Sequence, residues 1–292
     1  MTTNYANPTA PSSTPPASSS EPSPARLLST RHGRVLLLTI SNPSARNALH
    51  PDLYRAGIQA VQDAAADPGI GAIVLAGEGD HFCGGGNLRR LSGQRSLPAD
   101  SQKENMGYFH DWMMAMHDCP LPVIAAVEGA AAGGGFAVCL GCDLIVAAQD
   151  AKFVMSYARV GLSPDGGGSD SLARALPPQA ALEVLLDGGV IAIERLHTWG
   201  LVNRVVPHGT AVASALEWAQ RLAAGPREAQ ARIKQLVYQA RGRSRRDQLD
   251  AERENFIQSL YSPEGGEGIA AFLEKRAPNY LASSLTPPQA AQ

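Results

Sequence analysis

Two runs of three consecutive glycines, each placed after an apolar stretch, carry the clearest chemical potential in this chain. Gly84, Gly85 and Gly86 come after the apolar run from Ile70 to Ala76. Gly133, Gly134 and Gly135 come after the run that begins at Ile124. A glycine has no Cβ, so its backbone can approach a ligand closely. If Phe136 to Gly141 is helical, the second triplet stands at that helix's N-terminus, where unpaired N–H groups and the positive end of the dipole meet. Two amides converging from two such loops can hold a developing oxyanion. Tight strand-to-helix turns packed on a neighbour would use the same residues, so the triplets alone leave both readings open.

Other residue types with possible chemistry are sparse. Cys139 and Cys142 form a C-x-x-C, yet no second pair and no nearby histidine completes a metal-ligand set. On a helix they would share one face of an apolar segment. With Cys83 and Cys119 they are expected to be buried thiols in a reducing cytoplasm, with no bound metal. Asp165 lies in a Ser-Pro-Asp-Gly run, which favours a β-turn.

The elements that must position these residues follow from the apolar pattern. Strands are expected at Val35–Ile40, Ile70–Ala76, Val123–Val127 and Asp143–Ala148. Helices are expected at His50–Ala66, with Pro51 suited to its first turn, and at Asn105–His117. This alternation implies right-handed βαβ units around a mainly parallel sheet. From about residue 170 the pattern turns helical, with helices expected near Leu182–Leu186, Ala211–Ala224, Arg227–Gln239 and Arg246–Leu260.

Composition sets the outer bounds. The chain has 292 residues, 44% hydrophobic and 18% charged, which suits one large α/β domain or one domain with a helical appendage. A net charge of −2 gives no reason to expect nucleic acid or an anionic membrane as a partner. No apolar run reaches spanning length and no secretory signal is expected. Residues 1–25 and 282–292, rich in Pro, Ser and Ala, are expected to be disordered tails. Between them a core is expected over 26–208 and a helical region over 209–281.

Taken together, the motifs resemble the crotonase (enoyl-CoA hydratase/isomerase) superfamily. The matching pieces are Asn42-Pro43 with Asn47, Ala48 and Leu49; Phe82 to Leu88; Val123 to Phe136 with Cys142 and Asp143; Gly161 to Gly168; Gly200 to Asn203; and Glu267 to Arg276. They occur in the family's order. The overall pattern looks most like bacterial members tied to phenylacetyl-CoA breakdown, described as ring-epoxide or oxepin-CoA isomerases or as an alternative type of oxepin-CoA hydrolase.

The resemblance implies an α/β, ClpP-like spiral of ββα units with a C-terminal helical region that mediates trimer contacts, as a homotrimer or a dimer of trimers. It implies an acyl-CoA substrate and no separate cofactor, since coenzyme A arrives as part of the substrate. The oxyanion amides would belong to Gly86 and Gly134. Ala45, Arg46 and Ala48, with Gly84 and Leu88, would line the CoA path. Phe272 and Lys275 would reach the CoA of a neighbouring subunit, where a lysine suits a phosphate.

Hydratases of the family use two glutamates. The aligned positions here are Ala137 and Tyr157, so both carboxylates are missing. Asp165 matches the loop that carries a single proton-shuttling carboxylate in family isomerases. Tyr157 either places a hydroxyl in the pocket or packs as an ordinary aromatic. Glu128 is expected to fix its loop, while His81, His110, Asp111 and His197 are expected to be packing or surface groups. The implied reaction is double-bond isomerisation of an unsaturated acyl-CoA, with enoyl-CoA hydration as the alternative. A non-catalytic acyl-CoA-binding protein stands as the reading from another class.

Overall fold

The computed structural model describes residues 25–283. The expected tails, apart from their innermost residues, lie outside that range. The main sheet holds β1 (Arg26–His32), β2 (Val35–Ser41), β3 (Ala72–Gly77), β4 (Val123–Val127), β6 (Leu144–Ala148) and β9 (Arg204–Val206), in that spatial order. All neighbours in it run parallel except the β1–β2 hairpin. A second sheet holds β5 (Ala130–Ala132), β7 (Lys152–Val154) and β8 (Val190–Ile191).

The helices that follow these strands are α1 (Pro51–Ala66), α2 (Leu88–Gln94), α3 (Ala99–Asp118), α4 (Gly134–Leu140), α5 (Gly168–Ala175), α6 (Pro178–Asp187) and α7 (Ile193–Thr198). The C-terminal third adds α8 (Ala211–Ala223), α9 (Arg227–Gln239), α10 (Arg245–Leu260) and α11 (Pro263–Leu273). The order of strands and crossover helices is that of the crotonase spiral.

Central strands β3 and β4 are buried along nearly their whole length, as continuous apolar runs between two helical layers must be. On one face α1 and α3 pack so closely that a Cβ on Gly57 would stand 2.3 Å from the Trp112 ring nitrogen. On the other face Ala211, Ala215, Ala219 and Ala223 form a small-residue stripe that lets α8 lie directly on the sheet. All four cysteines are free and buried, and burial pushes the Cys83 thiol up to about 12. Cys139 and Cys142 are therefore core thiols. Among the described residues no helix is long and apolar enough to cross a membrane.

Candidate active site

The two glycine loops interlock through their backbones. Cys83 N donates to Ala130 O at 2.9 Å, and Ala132 N donates back to Cys83 O at 2.9 Å. A Cβ on Gly85 would stand 2.3 Å from Ala132 O, and one on Gly135 would stand 2.3 Å from Cys83 O. Real Cβ atoms do not come so near a carbonyl oxygen, so both positions require glycine for close approach. Gly85 also has φ +82°, a conformation side chains resist. The Cβ position of Gly85 lies 3.2 Å from Gly134 N, which brings the two loops to one place.

A third loop holds this pair in register. Arg46 and Asn47 are consecutive left-handed residues, with φ 52° and 56°. Asn47 is buried, and its side-chain amide donates to Glu78 O at 2.9 Å and His81 O at 2.6 Å. Its carbonyl oxygen accepts from Asn42 N at 3.0 Å. Gly84 N donates to Arg46 O at 2.8 Å, and Leu49 N to Gly85 O at 2.8 Å. A buried polar group is costly unless bonded, and Asn47 meets that need by fastening the loop after β3. The sequence had placed Asn47 in a matching motif without assigning it this role.

Around Gly134 the structure assembles a compact polar site. A point one bond from its Cα, where a Cβ would stand, lies 3.6 Å from the Tyr157 hydroxyl and 3.7 Å from Asp165 Oδ1. Tyr157 donates its hydroxyl to Asp165 Oδ1. Both side chains are half-buried. Burial is the main force raising the Asp165 pKa; the Tyr157 hydrogen bond and the nearby His110 work against it. Burial and the adjacent Asp165 charge push the Tyr157 phenol far up, so it stays a donor.

Asp165 also sits in a turn, as its neighbours suggested: Gly168 N donates to Asp165 O at 3.1 Å, and Gly166 and Gly167 both have positive φ. Gly166 presses on the floor of the site. A Cβ there would meet Phe109 at 2.4 Å and the Ala137 methyl at 3.3 Å. Gly168 comes similarly near, its Cβ position 3.4 Å from Ala137. Ala137 is fully buried, and the loop carrying Asp165 passes beside it through two glycines.

The remaining expected residues divide by location. Gly86 is exposed beside this site and pairs with Leu49 through a parallel bridge, and Leu88, two residues on, is exposed. Ala45 and Arg46 flank the same loop, while Ala48 is buried beneath it. Phe272 and Lys275 stand elsewhere in the chain, at the end of α11, which packs mainly on α10 and on the turn at Tyr280–Ser283. Phe272 is 84% exposed. Glu128 fixes a loop, accepting from Gly209 N at 3.1 Å and Ala211 N at 2.8 Å at the start of α8. His197 bonds Val202 O and is structural.

A parallel-sheet spiral whose glycine loops meet beside a half-buried carboxylate belongs to a class of enzymes built around an oxyanion. The comparisons give that class its family. The family model described as Enoyl-CoA hydratase/isomerase matches residues 30–283. The 1,2-epoxyphenylacetyl-CoA isomerase of Escherichia coli is 32% identical over 84% of this chain and 94% of its own. Enoyl-CoA hydratase EchA19 of Mycobacterium tuberculosis is 35% identical over 86% of this chain and 94% of its own. The crystal structure of an enoyl-CoA hydratase from Polaromonas sp. JS666 superposes with a TM-score of 0.85 at 50% identity, covering 86% of this chain and 98% of that one. The chain belongs to the enoyl-CoA hydratase/isomerase family, the crotonase superfamily, and is an acyl-CoA enzyme of that family.

Proposed function

We propose that the site migrates a double bond in an unsaturated acyl-CoA, with Asp165 carrying the proton. The observation that carries this reading is the placement of Asp165 beside Gly134, with Ala137 walled in by Gly166 and Gly168. The Gly86 and Gly134 amides hold the thioester oxygen. Asp165 takes the α-proton as the α-carbon–hydrogen bond breaks, and its electron pair passes into an enolate. The same proton then goes to the γ-carbon on the electron pair of the β,γ double bond, which breaks, while the enolate collapses so that the α,β double bond forms and the thioester carbonyl returns. Proton removed and proton delivered balance, so one carboxylate suffices and no further cofactor is needed.

Hydration is the alternative, favoured by the hydratase names of several relatives. It requires a group to activate water and a group to deliver a proton. Asp165 would need a second acid/base partner for that work. The isomerase named in Escherichia coli supports a ring-derived or other unsaturated acyl group as substrate.

The exposed α10 and α11 support an oligomer, a trimer or a dimer of trimers, in which Phe272 and Lys275 reach a neighbour's CoA. The four free thiols support a cytoplasmic location. The test of the reaction is Asp165→Asn assayed with trans-3-hexenoyl-CoA. Isomerisation is expected to fall by about two orders of magnitude or more, the scale of a lost general base. Turnover close to the parent's would exclude Asp165 as the proton carrier.

A further inference from the structure

We propose that Tyr157 is a positioning residue of this site: its hydroxyl pins Asp165 Oδ1 and leaves Oδ2 as the one oxygen that carries the substrate proton. The inference rests on the reading of Asp165 as proton carrier and adds a second residue to it. Four observations support it. Tyr157 donates directly to Asp165 Oδ1, across eight residues of chain. The hydroxyl and that oxygen stand equally near Gly134, at 3.6 and 3.7 Å from its Cβ position. The Tyr157 ring is partly buried and packs against the hydrophobic core. Its carbonyl accepts from Val160 N and Leu162 N, both at 3.0 Å, which fixes the turn it sits on.

The chemical consequence concerns one bond rotation. A free aspartate can turn about its last torsion, swap oxygens and exchange its proton with water before returning it. Holding Oδ1 suppresses that rotation. The proton taken from the α-carbon is then the proton given to the γ-carbon. The donated hydrogen bond also favours the ionised carboxylate, the form that can accept a proton. Burial keeps the phenol protonated, so Tyr157 remains a donor throughout the working range.

Asp165 has other ionisable neighbours. His110 projects from α3, and Tyr54 on α1 feels both Asp165 and Arg90 of α2.

The experiment uses trans-3-hexenoyl-CoA deuterated at the α-carbon and the full-length enzyme. In the parent, a large share of the deuterium should appear at the γ-carbon. In Tyr157→Phe that share should fall at least about twofold. Its acid limb of kcat/KM should move up by about one pH unit or more, from the loss of a hydrogen bond to a charged group, while KM changes little. As a near-isosteric second variant, 3-fluorotyrosine at 157 is a stronger donor and should move the same limb down. Label retention and acid limb unchanged in both variants, with Asp165→Asn inactive, would overturn the inference and leave the proton carrier standing. Near-normal turnover by Asp165→Asn would remove both.

Discussion

Asp165 is poised between two demands, burial that favours its protonated form and a proposed proton transfer that needs it ionised. Burial raises its pKa, with Tyr157 and His110 opposing. A carboxyl whose folded pKa lies above its unfolded value stabilises the fold fully below the unfolded pKa, about 3.9, and loses that contribution as pH rises through the folded value. At about pH 8 the ionised side chain is therefore a burden. Asp165→Asn should melt at the parent's temperature or above it there, and the gap should close toward about pH 4. A much lower melting temperature at pH 8, by calorimetry, would mean that the charge supports the fold.

Ala137 gives the complementary prediction. Ala137→Glu would restore the family's first glutamate in name, yet it sets a longer, charged side chain at a fully buried position beside the Gly166–Gly168 turn. Overpacking of this kind costs about 1–3 kcal/mol, and a buried carboxylate adds to it. Urea unfolding should show that loss, with no gain in crotonyl-CoA hydration. At this scale the sequence was partly legible. Asp165 announced itself through its turn residues and the matching loop. Its bond to Tyr157 did not, because seven intervening residues and a left-handed turn decide it.

Among the elements, the interlock of the loops after β3 and β5 bears most on function. Gly135→Ala would put a methyl 2.3 Å from Cys83 O, in the hydrogen-bonded junction of the two loops. A loss of at least about 1–3 kcal/mol is expected in denaturant unfolding, together with a fall in activity larger than that of a surface alanine control. Wild-type stability in that variant would show that the loops can part without cost.

Strands β2, β3, β4 and β6 and helices α1, α8, α9 and α10 were legible, within a few residues, because apolar period or helix-forming composition marks them. β1 was missed for a physical reason. It is mostly exposed on both faces, so it has no alternation to read, and it is held by antiparallel pairing along Arg26–His32 with β2. Short α2 and α5 were missed because each spans fewer than three turns and is mostly polar. The pairing of β5 with β7 rests on a three-residue register that no local pattern encodes.

Among the described residues, the C-terminal helices leave several large apolar side chains uncovered. α10 buries no residue in one chain, and Tyr261 and Phe272 are 80% and 84% exposed. The proposed oligomer would cover these exposed aromatic side chains. Sedimentation should therefore find a trimer or its multiple. Lys275→Ala should raise KM for the acyl-CoA several-fold with kcat nearly unchanged, since a phosphate contact is remote from the thioester. A monomer with undiminished activity would contradict the shared site. The proposed assembly comes from the resemblance, because one chain's periodicity cannot say what covers an exposed face.

In the proposed reaction one carboxylate moves a proton and no water is added. Parent enzyme incubated with trans-3-hexenoyl-CoA in oxygen-18 water tests it most directly, with products resolved by mass spectrometry. The predicted result is trans-2-hexenoyl-CoA without the label, formed much faster than any 3-hydroxyacyl-CoA. Rapid formation of labelled 3-hydroxyhexanoyl-CoA as the main product would contradict the account and identify the site as a hydratase.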